Sequence, residues 1–265
     1  MERLCECPSG LSGRVTHLRA EDAGVLADGR AVRSGRAADR ILQRCWTETS
    51  EAGPYHFAAT GPEWSNVLVC DRIWALLMIR IATYGETEEL ELRCPECGHR
   101  FVWDLPLLEL PFRRLPDTSR AAIAAGRNRF ECVLPGGTVV GFKLANGADQ
   151  VKAVKEVRLG EGDLVVAMLR QRVLDVSGVD PKALGAWFSD MSMGDVQTLV
   201  DAMDAHDGGI DTGFDVYCPS CTVEWEVDLP LDLSRMFAPK KATPRRRKRM
   251  ESGTGGRAAV EKAKS

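Results

Sequence analysis

Histidine is scarce in this chain. Four occur in 265 residues, His17, His56, His99 and His206, and they share no metal-ligand spacing. A helix of the H-E-x-x-H kind is therefore excluded. Also missing are a phosphate-binding G-x-x-x-x-G-K-[ST] loop and a G-x-S-x-G nucleophile turn. With no nucleophile–base pair visible, no catalytic residue, enzyme class or small-molecule substrate is expected. Long apolar runs are absent too. The most apolar stretch, "VLVCDRIWALLMIRIATYG", is interrupted by Asp71, Arg72 and Arg80. It is too charged for a bilayer and reads as a buried helix, so no membrane partner is expected. The opening "MERLCECPSG" has no apolar segment, and no secretory leader is expected.

What is present is an ordinary globular balance, 44% apolar and 28% charged. The charge is unevenly spread. Lys240 to Ser265 holds ten Lys/Arg against two Asp/Glu, a charge of +8, so the rest carries −11 of the net −3. An acidic body with a basic arm results. Nine cysteines are an odd number, and without a leader they favour a reducing, cytoplasmic home over a disulfide framework.

Four of those cysteines stand in a repeat. "CPECGHRFVWDLPL" starts at Cys94 and "CPSCTVEWEVDLPL" at Cys218, about 120 residues later. Each reads as strand, knuckle turn, strand, with both sulfurs at a hairpin tip. One C-x-x-C supplies half of a tetrahedral thiolate site, and two complete it. Cys94, Cys97, Cys218 and Cys221 are the expected ligands of a structural Zn2+. Reduced or redox-active thiols and an iron–sulfur cluster are the alternatives. His99 could replace a sulfur, but the second copy has Val223 there. A closed four-thiolate site leaves no position for water or substrate. Cys45, Cys70 and Cys132 fall on apolar faces and read as core, whereas Cys5 and Cys7 sit near the terminus as candidate reactive thiols. The alternations Glu89/Glu91 and Glu224/Glu226 read as solvated strand faces.

The expected fold class is α+β, with the two CPxC β-hairpins forming a zinc-ribbon-like unit beside flanking and inserted helices and a further β-hairpin. Residues 1–66 read as mainly helical, Ser34 capping a helix with Ile41, Leu42, Cys45 and Trp46 on its apolar stripe. Residues 67–110 hold the buried helix, from Asp71 to Gly85, and the first knuckle. Residues 111–211 form an insertion with a hairpin around "PGG" and helices over "LVVAMLRQRVLDV", after Asp180-Pro181 and after Ser192. Residues 212–238 carry the second knuckle, and 239–265 read as a disordered basic tail.

Beyond these patterns, an ordered set of segments resembles a known family. They are "PSGLSGRVTHLRAED", "VRSGRAADRILQRCW", "VCDRIWALLMIRIATYG", "CPECG", "LPGGTVVGFKLANGADQ", "LRQRVLDVSGVD" and "GGIDTGFDVYCPSC" running to "LPLDLSRMF". The chain resembles, over residues 8–238, the baseplate hub assembly proteins of T-even-type contractile-tailed phages and of related contractile injection systems. Cys70 and Thr222 depart from that pattern, each standing where such sequences commonly have glycine. The resemblance implies a non-enzymatic assembly chaperone or minor component, with baseplate or hub proteins as partners. Trp64 and Trp187 are the expected contact anchors. The alternative is a nucleic-acid-binding zinc-ribbon protein acting through "RRRKR" at 245–249, a reading opposed by the acidic body.

Overall fold

The computed structural model describes residues 2–57, 61–159, 164–231 and 233–237. The expected disordered tail lies outside these residues. The architecture is mixed α+β, built from several small antiparallel sheets with helices between them.

The chain opens with a hairpin, β1 (Arg3–Glu6) and β2 (Leu11–Val15). Short helices α1 (Ala23–Ala27) and α2 (Gly29–Arg33) lead to α3 (Arg36–Cys45), which runs directly into β3 (Trp46–Ala52). β3 pairs antiparallel with β2, giving a three-stranded sheet. The mainly helical reading of residues 1–66 is corrected by this sheet. Its strands are too short and too polar to show a strong period. In β3 only Trp46 is buried, and "PSG" is the β1–β2 turn. The apolar stripe of α3 is as expected, with Ile41, Leu42 and Cys45 buried. Ser34 does not cap it: the Ser34 hydroxyl donates to Ala31 O at the end of α2, and Gly35 at φ +73° makes the turn into α3.

Helix α4 (Val69–Tyr84) is the hub of the main core. It begins two residues before Asp71 and ends at Gly85, whose φ of +95° suits only glycine. Its apolar residues lie on all sides, so it must be enclosed. Ala75, Leu77, Ile79 and Ile81 pack in one cluster with Leu11, Val15, Ile41 and Leu42 before them and Leu105, Leu107, Leu229 and Phe237 after. Each such side chain contributes about 1.5–3 kcal/mol by leaving water.

Charged residues of α4 rivet distant parts together. Asp71 is fully buried and accepts from Ser9 N at 2.9 Å, Ser9 Oγ at 2.5 Å and Tyr55 Oη at 2.5 Å. Burial pushes its carboxyl up to about 6, against the lowering effect of the Ser9 and Tyr55 hydrogen bonds. Arg72, equally buried, pairs with Asp39 at 2.6 Å and donates to Gln150 Oε1 and to the Trp64 carbonyl. A Cβ at Gly147 would sit 2.5 Å from the Arg72 guanidinium, so "NGADQ" needs its glycine there.

After α4 comes the hairpin β4 (Thr87–Arg93) and β5 (Arg100–Pro106). The insertion follows: β6 (Phe112–Arg113), α5 (Asp117–Ala124), β7 (Phe130–Val133), β8 (Val139–Phe142), α6 (Gly147–Arg158), α7 (Leu164–Arg172), β9 (Val173–Val176), α8 (Leu184–Ser189) and α9 (Met193–His206). The "PGG" hairpin is β7–β8, and β9 adds to it as a third strand. The helix expected over "LVVAMLRQRVLDV" therefore ends at Arg172. Pairing with β8 and burial of Val176 beside Val140 and Phe142 override the local helical pattern. Asp180 and Ser192 cap as expected, accepting from Lys182 N and Asp195 N.

The insertion closes on itself. β10 (Gly209–Ile210) pairs antiparallel with β6, so the chain returns beside the point where it left. The second hairpin, β11 (Gly213–Tyr217) and β12 (Glu224–Asp228), follows at once, and α10 (Leu233–Met236) ends the described fold.

Candidate metal centre

Two matched turns build the site. In the first, Gly98 N donates to Cys94 O at 3.1 Å and Cys94 N to His99 O at 2.9 Å. In the second, Thr222 N donates to Cys218 O and Cys218 N to Val223 O, both at 2.9 Å. Both turns need a left-handed residue just past the second cysteine. Gly98 supplies it at φ +71°, whereas Thr222 is forced to φ +60°. Thr222 is the one non-glycine with positive φ among the described residues, and a β-branched side chain is strained there.

The hairpins meet tip to tip. The Sγ atoms of Cys94, Cys97, Cys218 and Cys221 all lie within 4.8 Å of one another. Two contacts cross between hairpins: Cys94 to Cys221 at 3.6 Å and Cys97 to Cys218 at 3.7 Å. Exchanging the two turns converts one pair into the other, so the site has approximate twofold symmetry. These separations are far too long for a disulfide bond. Cys94 and Cys218 are buried, and Cys97 and Cys221 are exposed.

Proton affinities within the cluster diverge. Burial raises Cys218, but the N–H groups of Cys221 and Ser220, with the neighbouring thiols, outweigh it and bring it to about 6. The Val223 N–H lowers Cys221, yet desolvation and the Cys97, Cys94 and Cys218 thiols push it up to about 12. The same cluster thus lowers one thiol and raises another, and a bound cation would favour the thiolate form of all four. The four cysteines could hold a metal ion.

Aromatic contacts lock the hairpins together behind the sulfurs. Phe101 meets Trp225 edge to face at 6.0 Å, and Trp103 meets Tyr217 at 5.0 Å. The strand bases are anchored by Leu105 and Leu229, both buried in the main core. Arg80 fixes the first hairpin to α4 by donating to Gly85 O and pairing with Glu88.

His99 is exposed, stacks on Phe101 and stays outside the sulfur cluster. Cys45, Cys70 and Cys132 are buried, as expected. Cys5 and Cys7 are not surface thiols. Both are buried, their sulfurs 3.8 Å apart, and burial holds Cys7 well above the usual thiol range. The reason is that β1 is an ordered strand of the first sheet and Cys5 joins the core below it. Trp64 is also corrected. It is buried, packs edge to face on Trp46 at 5.3 Å and receives Arg72 at its carbonyl, so it presents no contact surface. Trp187 is half-buried against the second core. The cross-hairpin aromatic pairs were not singled out from sequence. Their signal was available, since Phe101 and Trp225 each stand seven residues past the first cysteine of their own repeat.

Among the described residues no helix is long and apolar enough to cross a membrane. No curated protein and no solved structure matches the chain. A family model described as T4 bacteriophage base plate protein matches residues 35–238, well over half of the chain and inclusive of both hairpins. The region it spans is the one unified by α4 and the four cysteines, and on that match the chain belongs to the T4 bacteriophage base plate protein family.

Proposed function

We propose that this protein is a non-enzymatic assembly chaperone, or a minor component, for the baseplate or hub of a phage tail or contractile injection system, acting in the cytoplasm. Family membership over residues 35–238 carries the reading. The cysteine cluster supports a scaffold role. Four thiolates saturate a tetrahedral ion and leave no open position for substrate or water.

The ion in this proposal is zinc, and the two hairpins with it form a zinc-ribbon-like unit. A tetrahedral site with Zn–S bonds of about 2.3 Å has S···S edges of about 3.8 Å. The cross-hairpin contacts of 3.6 and 3.7 Å fit that edge. Zinc here clamps two segments far apart in sequence.

Affinity capture of the tagged protein from producing cells, compared with the protein content of purified particles, tests the role. Capture of baseplate or hub proteins with absence from particles identifies a chaperone, and presence in particles a component. Capture of neither, with normal particles after gene deletion, overturns the reading. The nucleic-acid alternative finds less support, because both hairpins present acidic faces. Duplex binding that weakens steeply with salt and vanishes without residues 240–265 would favour it.

A further inference from the structure

We propose that the chain's own basic segment, residues 240–249, docks along an acidic groove between the two hairpins. This goes beyond the assembly role and does not depend on it.

The groove has a volume of about 420 Å³. Its lining is largely apolar, with Leu77, Leu90, Leu92, Leu229 and Met236, and it carries four acids, Glu88, Glu89, Glu91 and Asp228, against Arg80, which pairs with Glu88, and Arg235. Five consecutive residues of β4, Glu88–Leu92, line it. β4 and β5 form a two-stranded sheet, so β4 offers an edge along which an extended segment can lie.

Charge selects the occupant. The two hairpins, Thr87–Pro106 and Gly213–Asp228, contain nine Asp/Glu and two Arg, a charge of −7. Residues 240–249, "KKATPRRRKR", contain seven Lys/Arg and no acid. Position favours the same pairing. The described chain ends at Phe237, and Met236 is already a wall of the groove. The twelve residues from 238 to 249 span at most about 40 Å, and the seven residues of β4 about 24 Å, so the segment reaches the length of the strand. Tethered beside its site, it acts at an effective concentration of order millimolar. A partner seeking this face must first displace the segment.

Carbodiimide coupling of the full chain, which joins lysine amines to nearby carboxylates, tests this with mass-spectrometric mapping. At about 0.05 M salt, links within one molecule from Lys240, Lys241 or Lys248 to hairpin carboxylates are expected, falling several-fold at about 1 M. The variant E91K/D228K should lose them while keeping the metal content of the unaltered chain. Links only between molecules, links to carboxylates elsewhere, or a pattern indifferent to the charge reversal would overturn the proposal. So would duplex DNA binding by the full chain as tight as that of a free peptide of residues 240–249, since an engaged segment must first be released.

Discussion

Phe101 and Trp225 meet edge to face with their planes at 87°, and each holds the same place in its own copy of the repeat. The exchange of repeats that converts one close sulfur contact into the other also maps this ring pair onto itself. A double-mutant cycle with Phe101→Leu and Trp225→Leu, read by denaturant unfolding of metal-loaded protein, should give a coupling of about 0.5–1.5 kcal/mol. Additive losses would show that the rings pack independently.

Thr222 stores avoidable strain. Replacing it with glycine, as at Gly98, should raise the unfolding midpoint by the equivalent of about 1 kcal/mol, with the slope unchanged. The mirror substitution, Gly98→Thr, should destabilise by about as much.

The purified protein should contain one zinc ion per chain. Cys94→Ser and Cys218→Ser should each lower that content to well below half an equivalent, because three thiolates no longer close the site. Chelation should loosen both hairpins together, seen as faster hydrogen exchange in Thr87–Pro106 and Gly213–Asp228 alike. A full complement of zinc in either variant would remove those cysteines from the ligand set.

Asp71 gives a pH dependence whose sign follows from its raised affinity for protons. The folded carboxyl titrates near 6, against 3.8 for an unperturbed one. Its contribution is fully present below about pH 4 and is lost as pH rises through 6, amounting to about 3 kcal/mol at most. The stability difference between the unaltered chain and Asp71→Asn should therefore shift across that window. A difference constant from pH 4 to 7 would mean that Ser9 and Tyr55 hold the carboxylate ionised throughout.

The meeting of the four cysteines was legible in the sequence because a repeat of C-P-x-C with matched flanks is redundant information. Buried helix α4 was equally plain, since apolar residues on all sides leave it nowhere but inside. The first sheet was hidden for a physical reason. β1 and β3 expose most of their side chains, so their hydrophobic alternation is weak, and pairing with β2 rather than local propensity holds them. β9 was missed likewise, its strand conformation imposed by β8 across the turn. The roles of Asp71 and Arg72 depend on Ser9, Tyr55, Asp39 and Gln150, partners dispersed along the chain that no local pattern connects.

The span between the paired cysteines has a consequence for biosynthesis. Cys94 and Cys97 leave the ribosome about 120 residues before Cys218 and Cys221. At about 5–20 residues per second, the half-made site waits roughly 6–25 seconds for its complement. Until then the nascent chain has the insertion available to fold on its own core, while the first knuckle holds two thiols and bare aromatic rings. Any polypeptide released before Cys221 carries an unfinished cluster, so the four sulfurs can come together only once the whole insertion has been made.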